Sequence, residues 1–326
     1  MHNGIRTFFV GLVVIFTGSM IGCGGGDGTK HLVIFSQANN AEPYRAAQNA
    51  QMERLWGQYD DVELQILDAQ QDNQQQIAQI EATIRKGPDL LIVAPNEPRP
   101  VTEVMGEAMD AGIPVICLER NITKPNYTTY IRIDNYKIGR MAGEWILDTL
   151  RQKYGEPRGK IVELKGLLGI EAEENRRKGA HDVWKEYPEI RVVHGAVANW
   201  LQSEARKRMT EILRVQEEID VVYGHNDPMA VGAYLAAKDL DRAEDIIFVG
   251  VDGLGGPAGG IKKVMDGILD VTFHYPLGVK QAVEVGNKII RNPEFEPEKE
   301  YVIPSEIVKK SNARKLYEKY TIRSDS

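Results

Sequence analysis

The strongest constraint on this chain is a repeat in its hydrophobic pattern. From residue 31 onward, short apolar runs alternate with helix-length amphipathic segments, at roughly 25–30 residues per unit. Runs that are apolar at every position, not every second one, read as strands buried on both faces. Only sheets covered by crossover helices on both sides bury strands that way. The pattern therefore commits the chain to an α/β fold with parallel sheets. In the first half, strands are expected at 31–36, 62–67, 89–94, 113–118 and 127–133, with helices at 43–59, 70–86 and 101–111. The pattern then starts again. Helices are expected at 136–153, 171–187, 203–217, 259–265 and 277–290. Strands are expected at 160–164, 191–194, 221–223, 246–251, 270–274 and 301–303.

Two halves of similar size imply two doubly wound, Rossmann-like parallel-sheet domains joined by a multi-strand hinge, with a ligand cleft between them. A chain of 326 residues is long enough for both. The boundaries expected are 31–134 plus 276–299 for the first domain and 135–275 plus 300–312 for the second, followed by a charged tail at 313–326 that forms a short helix or frays. Crossings between domains are expected near 134–136, 274–276 and 298–303. Cleft closure around the ligand follows as the expected mechanism.

The N-terminus has a separate origin. Arg6, the apolar run FFVGLVVIF at 8–16 and the small or apolar residues 17–22 form a signal-peptide pattern, too short for a confident membrane span. MIGC at 20–23 resembles the lipobox of bacterial lipoproteins, with Met20 where Leu is usual. That resemblance implies a signal peptide over 1–22, a lipidated Cys23 and a flexible tether over 23–30. Only Cys117 accompanies Cys23, so no disulfide framework is expected. The net charge of −7, without a long basic run, argues against a nucleic-acid partner.

Strand ends in such folds face the ligand. Here they carry Asn39, Glu119-Arg120, Asp134, Asn226, Asp252 and His274, with Tyr44, Arg45, Arg176 and Trp200 close by. Carboxylates, guanidiniums and amides together suit the hydroxyls of a sugar, and aromatic faces such as Tyr44, Trp200 and Tyr275 suit its C–H faces. Mixed charge argues against an anionic ligand. At 221–236, VVYGHNDPMAVGAYLA, Asp227 reads as the N-cap before Pro228, and Asn226 as the residue facing the ligand.

From 32 to about 290 the chain resembles periplasmic sugar-binding proteins of the ribose/galactose class, the substrate-binding components of ABC importers. The resemblance rests on DAQQDNQQQ at 68–76, KGPDLLIVAPNEP at 86–98, AGIPVICLER at 111–120, RIDNYKIGRMAGEW at 132–145, YGHNDPMAVGAY at 223–234 and VGVDG at 249–253. FSQANNAEPYR at 35–45 looks closest to the galactofuranose-binding branch. It implies ligand-binding roles for Glu119-Arg120, where the family has an Asp-Arg pair, and for Asn226 and Asp252. Arg176 matches the family's second-domain arginine, or is a surface charge among Glu173, Glu174, Arg177 and Lys178. Trp200 stacks on the ring or packs the core. His274 stands where the ribose branch has Gln. Arg45 and Asn39 are further binders, and Asp134 binds or caps a helix.

The expected function is capture of a pentose or hexose, in pyranose or furanose form, by a monomeric lipoprotein of the periplasm or cell envelope that delivers it to an ABC permease. A sensory role, presenting the sugar to a histidine kinase or chemoreceptor, is the nearer alternative. An NAD(P)-dependent enzyme is the more distant one. GLGGPA at 253–258 formally fits a dinucleotide loop, but it follows a late strand and Pro257 interrupts it. No nucleophile elbow, metalloprotease motif or metal-spaced Cys/His cluster appears, so neither cofactor nor metal is expected.

Overall fold

The computed structural model describes Met1 and residues 30–321. The expected export signal beyond Met1, Cys23 and the tether up to residue 29 lie outside the described residues. In chain order the elements are β1 (His31–Gln37), α1 (Pro43–Trp56), β2 (Val62–Asp68), α2 (Asn73–Lys86), β3 (Leu90–Val93), α3 (Pro98–Asp110), β4 (Val115–Leu118), β5 (Thr129–Ile133), α4 (Asn135–Tyr154), β6 (Gly159–Lys165), α5 (Glu171–Trp184), β7 (Ile190–Val197), α6 (Gln202–Val215), β8 (Val221–Gly224), α7 (Asp227–Lys238), β9 (Ile247–Val249), α8 (Gly260–Met265), β10 (Val271–His274), α9 (Val279–Arg291), β11 (Glu300–Ile303), β12 (Glu306–Lys309) and α10 (Ala313–Tyr320).

The strands form two six-stranded sheets among the described residues, β2-β1-β3-β4-β5-β11 and β7-β6-β8-β9-β10-β12. All pairings are parallel except β10 with β12. In each sheet the first strand sends its chain to one side and then the other. That creates a switch point beside β1 and β3 in one sheet and beside β6 and β8 in the other, where α/β folds hold their ligands. The central strands β3, β4, β8 and β10 are buried at every position, as their unbroken apolar runs require.

Helix boundaries follow local chemistry. Asp72 caps α2 by accepting from the backbone N–H groups of Gln74 and Gln75, and Gly87 ends the helix in the left-handed conformation at φ 61°. Asp134 caps α4 through Lys137 N–H. The late helix α9 returns to the first sheet. Its Val279, Ala282, Val283 and Val285 join Trp56, Leu90 and Ile92 in one apolar cluster. A Cβ on Gly286 would come within 2.6 Å of the Leu90 side chain, so the bare backbone allows this close approach.

Two expectations at the C-terminus need correction. Residues 300–303 were expected in the second domain, but β11 pairs in parallel with β5 and completes the first sheet. The next strand, β12, joins β10 in the other sheet. The third crossing therefore lies at Pro304 and Ser305, between two strands too short to signal their partners by pattern. Nor does the tail simply fray: the short helix it was expected to form or lose is present as α10 and packs on the domain. Helix α10 inserts Ala313 and Leu316 into the core beside Ile261, Val264 and Val308. Its charges face outward and hide this apolar edge from a composition reading.

Candidate functional site

A narrow, nearly closed cleft, with only about 20 Å³ of free space, lies where the carboxyl ends of both sheets meet. It is lined by Glu42, Tyr44, Arg45, Glu119, Arg120, Ala172, Arg176, Trp200, Asn226, Asp252 and Tyr275.

The first wall is built on a sharp turn and a buried ion cluster. After β1, the Asn39 side chain accepts from the N–H groups of Ala41 and Glu42 and donates to Glu42 Oε1 at 2.8 Å. This turn delivers Glu42 and Pro43 to the start of α1, whose first turn presents Tyr44 and Arg45. Arg45 Nη2 donates to Glu119 Oε2 at 2.6 Å, and Nη1 to Gln48 at 3.1 Å. Glu119 holds a left-handed backbone, φ 70°, at the end of β4. Its other oxygen accepts from the Tyr275 hydroxyl at 3.0 Å. Arg120 is held by backbone: Nη1 donates to Asn96 O at 2.7 Å, and Asn96 N–H is itself held by Gln76 of α2 at 2.8 Å. The glutamine run of α2 thus braces the cleft from behind.

The second wall centres on Arg176. Its Nε donates to Asn135 Oδ1 at 2.9 Å, and its Nη1 to the His225 carbonyl. The guanidinium lies 4.4 Å from the Tyr275 ring centroid and 5.7 Å from that of Trp200. Trp200 follows Asn199 in a turn where both residues have positive φ, 50° and 68°. Its ring lies flat on Gly166, where a Cβ would approach to 2.1 Å. Asp252 also has positive φ, 128°, a conformation costing of order 1–3 kcal/mol for a residue with a side chain. Strain of that kind concentrates at sites that use it.

Burial would raise the Glu119 carboxyl, but Arg45 and Arg120 hold it below its ordinary range. Burial and the Arg45 charge push Arg120 down. Burial, then the neighbouring Asp227, raises the Asp252 carboxyl well above the usual value. Three acidic side chains (Glu42, Glu119, Asp252) and three guanidiniums (Arg45, Arg120, Arg176) line the cleft together, so it offers both hydrogen-bond acceptors and donors to a polar ligand. Arg45 Nε, Arg120 Nε and Trp200 Nε1 are buried with no hydrogen-bond partner in the protein, leaving donors for ligand oxygens.

Of the residues expected at the site, the structure brings Tyr44, Arg45, Glu119, Arg120, Arg176, Trp200, Asn226 and Asp252 to this cleft. It does not bring Asn39, Asp134 or His274. Asn39 shapes the turn before α1, and Asp134 caps α4. His274 points to the other face of its strand, donates from Nδ1 to Gly253 O at 2.9 Å and stacks on Tyr320 at 3.6 Å. Burial pulls its pKa down to about 4. The reason is the period of two in β10. Val271, Phe273 and Tyr275 share one face, so Tyr275 reaches the cleft and His274 cannot.

Asn226 and Asp227 exchange the capping role expected of them. Asn226 Oδ1 caps α7 by accepting from Met229 N–H, while its Nδ2 donates to Trp200 O. Asp227 turns inward, accepting from Gly253 N–H at 2.8 Å and Thr272 Oγ1 at 2.5 Å. Glu42 and Ala172 had no signal in the sequence beyond lying near a helix start. The GLGGPA loop packs against α10, where a Cβ on Gly255 would lie 2.3 Å from the Tyr320 carbonyl, and with Pro257, His274 and Tyr320 it lines a separate cavity of about 690 Å³ away from this cleft.

Residues 33–292 match the family model described as a periplasmic binding protein domain. The chain is 30% identical over 230 residues to the galactofuranose-binding protein of Escherichia coli strain K12, covering 68% of this chain and 71% of that one. Among solved structures, the fructose-binding periplasmic domain of a hybrid two-component system superposes with a TM-score of 0.82 at 34% identity, covering 89% of this chain and 94% of that one. An ABC transporter solute-binding protein from Bacillus halodurans C-125 with bound myo-inositol gives a TM-score of 0.82 at 28% identity, covering 90% and 100%.

Proposed function

The chain belongs to the periplasmic binding protein family, whose matching relatives are sugar-binding proteins and not enzymes, and from that premise we propose that it captures a monosaccharide in the Arg45–Arg176 cleft and delivers it to an ABC permease. The observation that carries this reading is the ring of three acidic side chains and three guanidiniums with Tyr44, Trp200 and Tyr275 between them. Such a ring gives each hydroxyl of a neutral polyol both donors and acceptors. The two arginine clusters stand on opposite sides of the cleft, Arg45 on α1 and Arg120 after β4 beside the first sheet, and Arg176 on α5 beside the second. A ligand touching both therefore binds the closed form better than the open one, and its binding energy drives closure. A Kd near 1 μM corresponds to about −8 kcal/mol, within reach of several charge-assisted hydrogen bonds and ring stacking.

Export and lipidation at Cys23 complete the proposal: the lipid holds the binding protein at a membrane, next to its permease. Replacement Cys23→Ser is expected to release the protein from membranes, and a wild type already soluble in the periplasm would refute the anchor. No helix among the described residues is long and apolar enough to cross a membrane. The fructose-binding sensor domain among the similar structures supports a second reading, in which the same cleft reports its sugar to a membrane kinase. A thermal-shift panel of pentoses, hexoses in both ring forms, fructose and myo-inositol tests the binding claim. At least one sugar should raise the melting temperature of wild type and not of Arg120→Ala; no hit at millimolar concentration would overturn it. Sugar uptake lost on deletion of the gene separates transport from sensing.

A further inference from the structure

Beneath the second wall lies a buried polar cluster that the cleft does not use directly. Glu163 on β6 is almost fully buried. Its Oε1 lies 3.1 Å from His225 Nε2, and both its oxygens lie 3.2 Å from His181 Nε2. His225 follows β8 directly and is fully buried, with its ring 4.9 Å from that of Tyr223. Three further polar atoms are buried without a hydrogen-bond partner: His225 Nδ1, Glu173 Oε1, which has only the Arg177 guanidinium at 3.8 Å, and the Tyr223 hydroxyl. Among the described residues, no group of three or more His, Cys, Asp or Glu is placed to hold a metal ion. Burial would raise the Glu163 carboxyl, but hydrogen bonds from the two histidines hold it well below its usual range. The carboxylate therefore stays charged inside the domain.

A buried ion in a β-sheet core is costly, and apolar side chains of similar size pack such places at lower cost. What this ion does is visible in its connections. Glu173, Arg176 and His181 all lie on α5, so the cluster clamps the middle of that helix to β6 and β8. The main chain of His225 completes the link, because its carbonyl accepts from Arg176 Nη1 while its side chain is held by Glu163. One residue thus connects the buried carboxylate to the guanidinium in the cleft.

We propose that Glu163 and His225 are positioning residues for Arg176: the buried Glu163–His225 hydrogen bond fixes the carbonyl that orients the cleft arginine, and sugar affinity depends on it. This rests on the proposed sugar-binding role of Arg176, and the test separates the two. Glu163→Gln keeps the shape and removes the charge. His225→Leu removes the ring contact and leaves a carbonyl at the same position. For each variant, the side-chain Nε–H resonance of Arg176 is recorded by NMR without sugar, and affinity is titrated with D-ribose, D-fructose, D-galactose and myo-inositol.

The expected result is a shifted or exchange-broadened Arg176 resonance in both variants at an unchanged fold by circular dichroism. Any sugar that binds wild type should bind at least three- to tenfold more weakly. A wild-type Arg176 resonance in either folded variant overturns the inference, and so does wild-type affinity. If His225→Leu fails to fold, Glu163→Gln alone decides by the same two readouts. If none of the four sugars binds wild type, the sugar reading of the cleft is in trouble, while the ligand-free resonance still decides whether Glu163 positions Arg176.

Discussion

Replacing Glu119 by Gln tests the electrostatic frame of the first wall. Glutamine keeps the shape of the side chain. With its oxygen toward Arg45 and its amide toward Tyr275, both contacts now at 2.6 and 3.0 Å can persist, because a tyrosine hydroxyl also accepts. What disappears is the charge. Arg45 is almost fully buried, and its other recorded side-chain partner is the neutral Gln48. A unit charge pair about 4 Å apart is worth roughly 4 kcal/mol near an effective dielectric of 20. Removing one partner of a buried pair outright costs about 3–5 kcal/mol. The retained hydrogen bonds and the carboxylate desolvation no longer incurred offset part of that. The expected destabilisation is therefore about 2–3 kcal/mol, read as a lower urea midpoint at unchanged slope in the absence of sugar. The sign with pH follows from the depressed carboxyl: Glu119 stabilises the fold above the ordinary glutamate range and loses that effect as pH falls through its lowered value. The difference between wild type and variant should shrink in acid. A variant within 0.5 kcal/mol of wild type, on the order of the scatter expected for an inconsequential surface change, would refute the account of the ion cluster.

Other expectations concern the rest of the frame. His274, with its pKa pulled down to about 4 from 6.5, contributes up to about 3 kcal/mol that is present above the ordinary histidine range and lost as pH falls toward 4. The buried Asp227 carboxyl, pushed up to about 7, works in the opposite direction. Comparing wild type with His274→Gln across pH 4–7 therefore isolates the histidine: the variant should show a flatter fall in acid, and identical slopes would contradict its buried, neutral state. Leu316→Ala should cost about 2–4 kcal/mol by thermal or urea unfolding; a neutral result would return α10 to the status of a fraying tail. Gly166→Ala should push the Trp200 ring from its place, at about 1–3 kcal/mol in stability, with a red-shifted tryptophan emission and weaker sugar binding; unchanged emission would mean that the ring is not held there.

How much of this was legible in the sequence differs by level. Unbroken apolar runs such as LLIV and VICL gave the parallel sheets, because nothing else buries both faces of so short a strand. The pairing of β11 was not legible: EYVI is half-exposed and only four residues long, so nothing in it names a partner sheet. At the site, residue type and strand-end position located the ion cluster around Glu119 and Arg120. They failed where one step of strand parity decides which neighbour faces the cleft. His274 and Tyr275 differ by one position, and the alternation with Phe273 was the available clue. Asn226 and Asp227 were exchanged for a related reason. Both are good caps, and only the three-dimensional placement of Gly253 and Thr272 shows that the aspartate turns inward. Glu42 carried no signal, since a glutamate before a proline at a helix start is ordinary.

The central claim is that a neutral sugar is held by both walls at once. Calorimetric titration of wild type, Arg45→Ala and Arg176→Ala with the sugar that most stabilises wild type tests it directly. The account predicts micromolar or tighter binding to wild type and a loss of at least a hundredfold in each variant, about 2.7 kcal/mol or more, because each removes charge-assisted hydrogen bonds from a different domain. Full affinity in either variant would contradict a cleft closed from both sides.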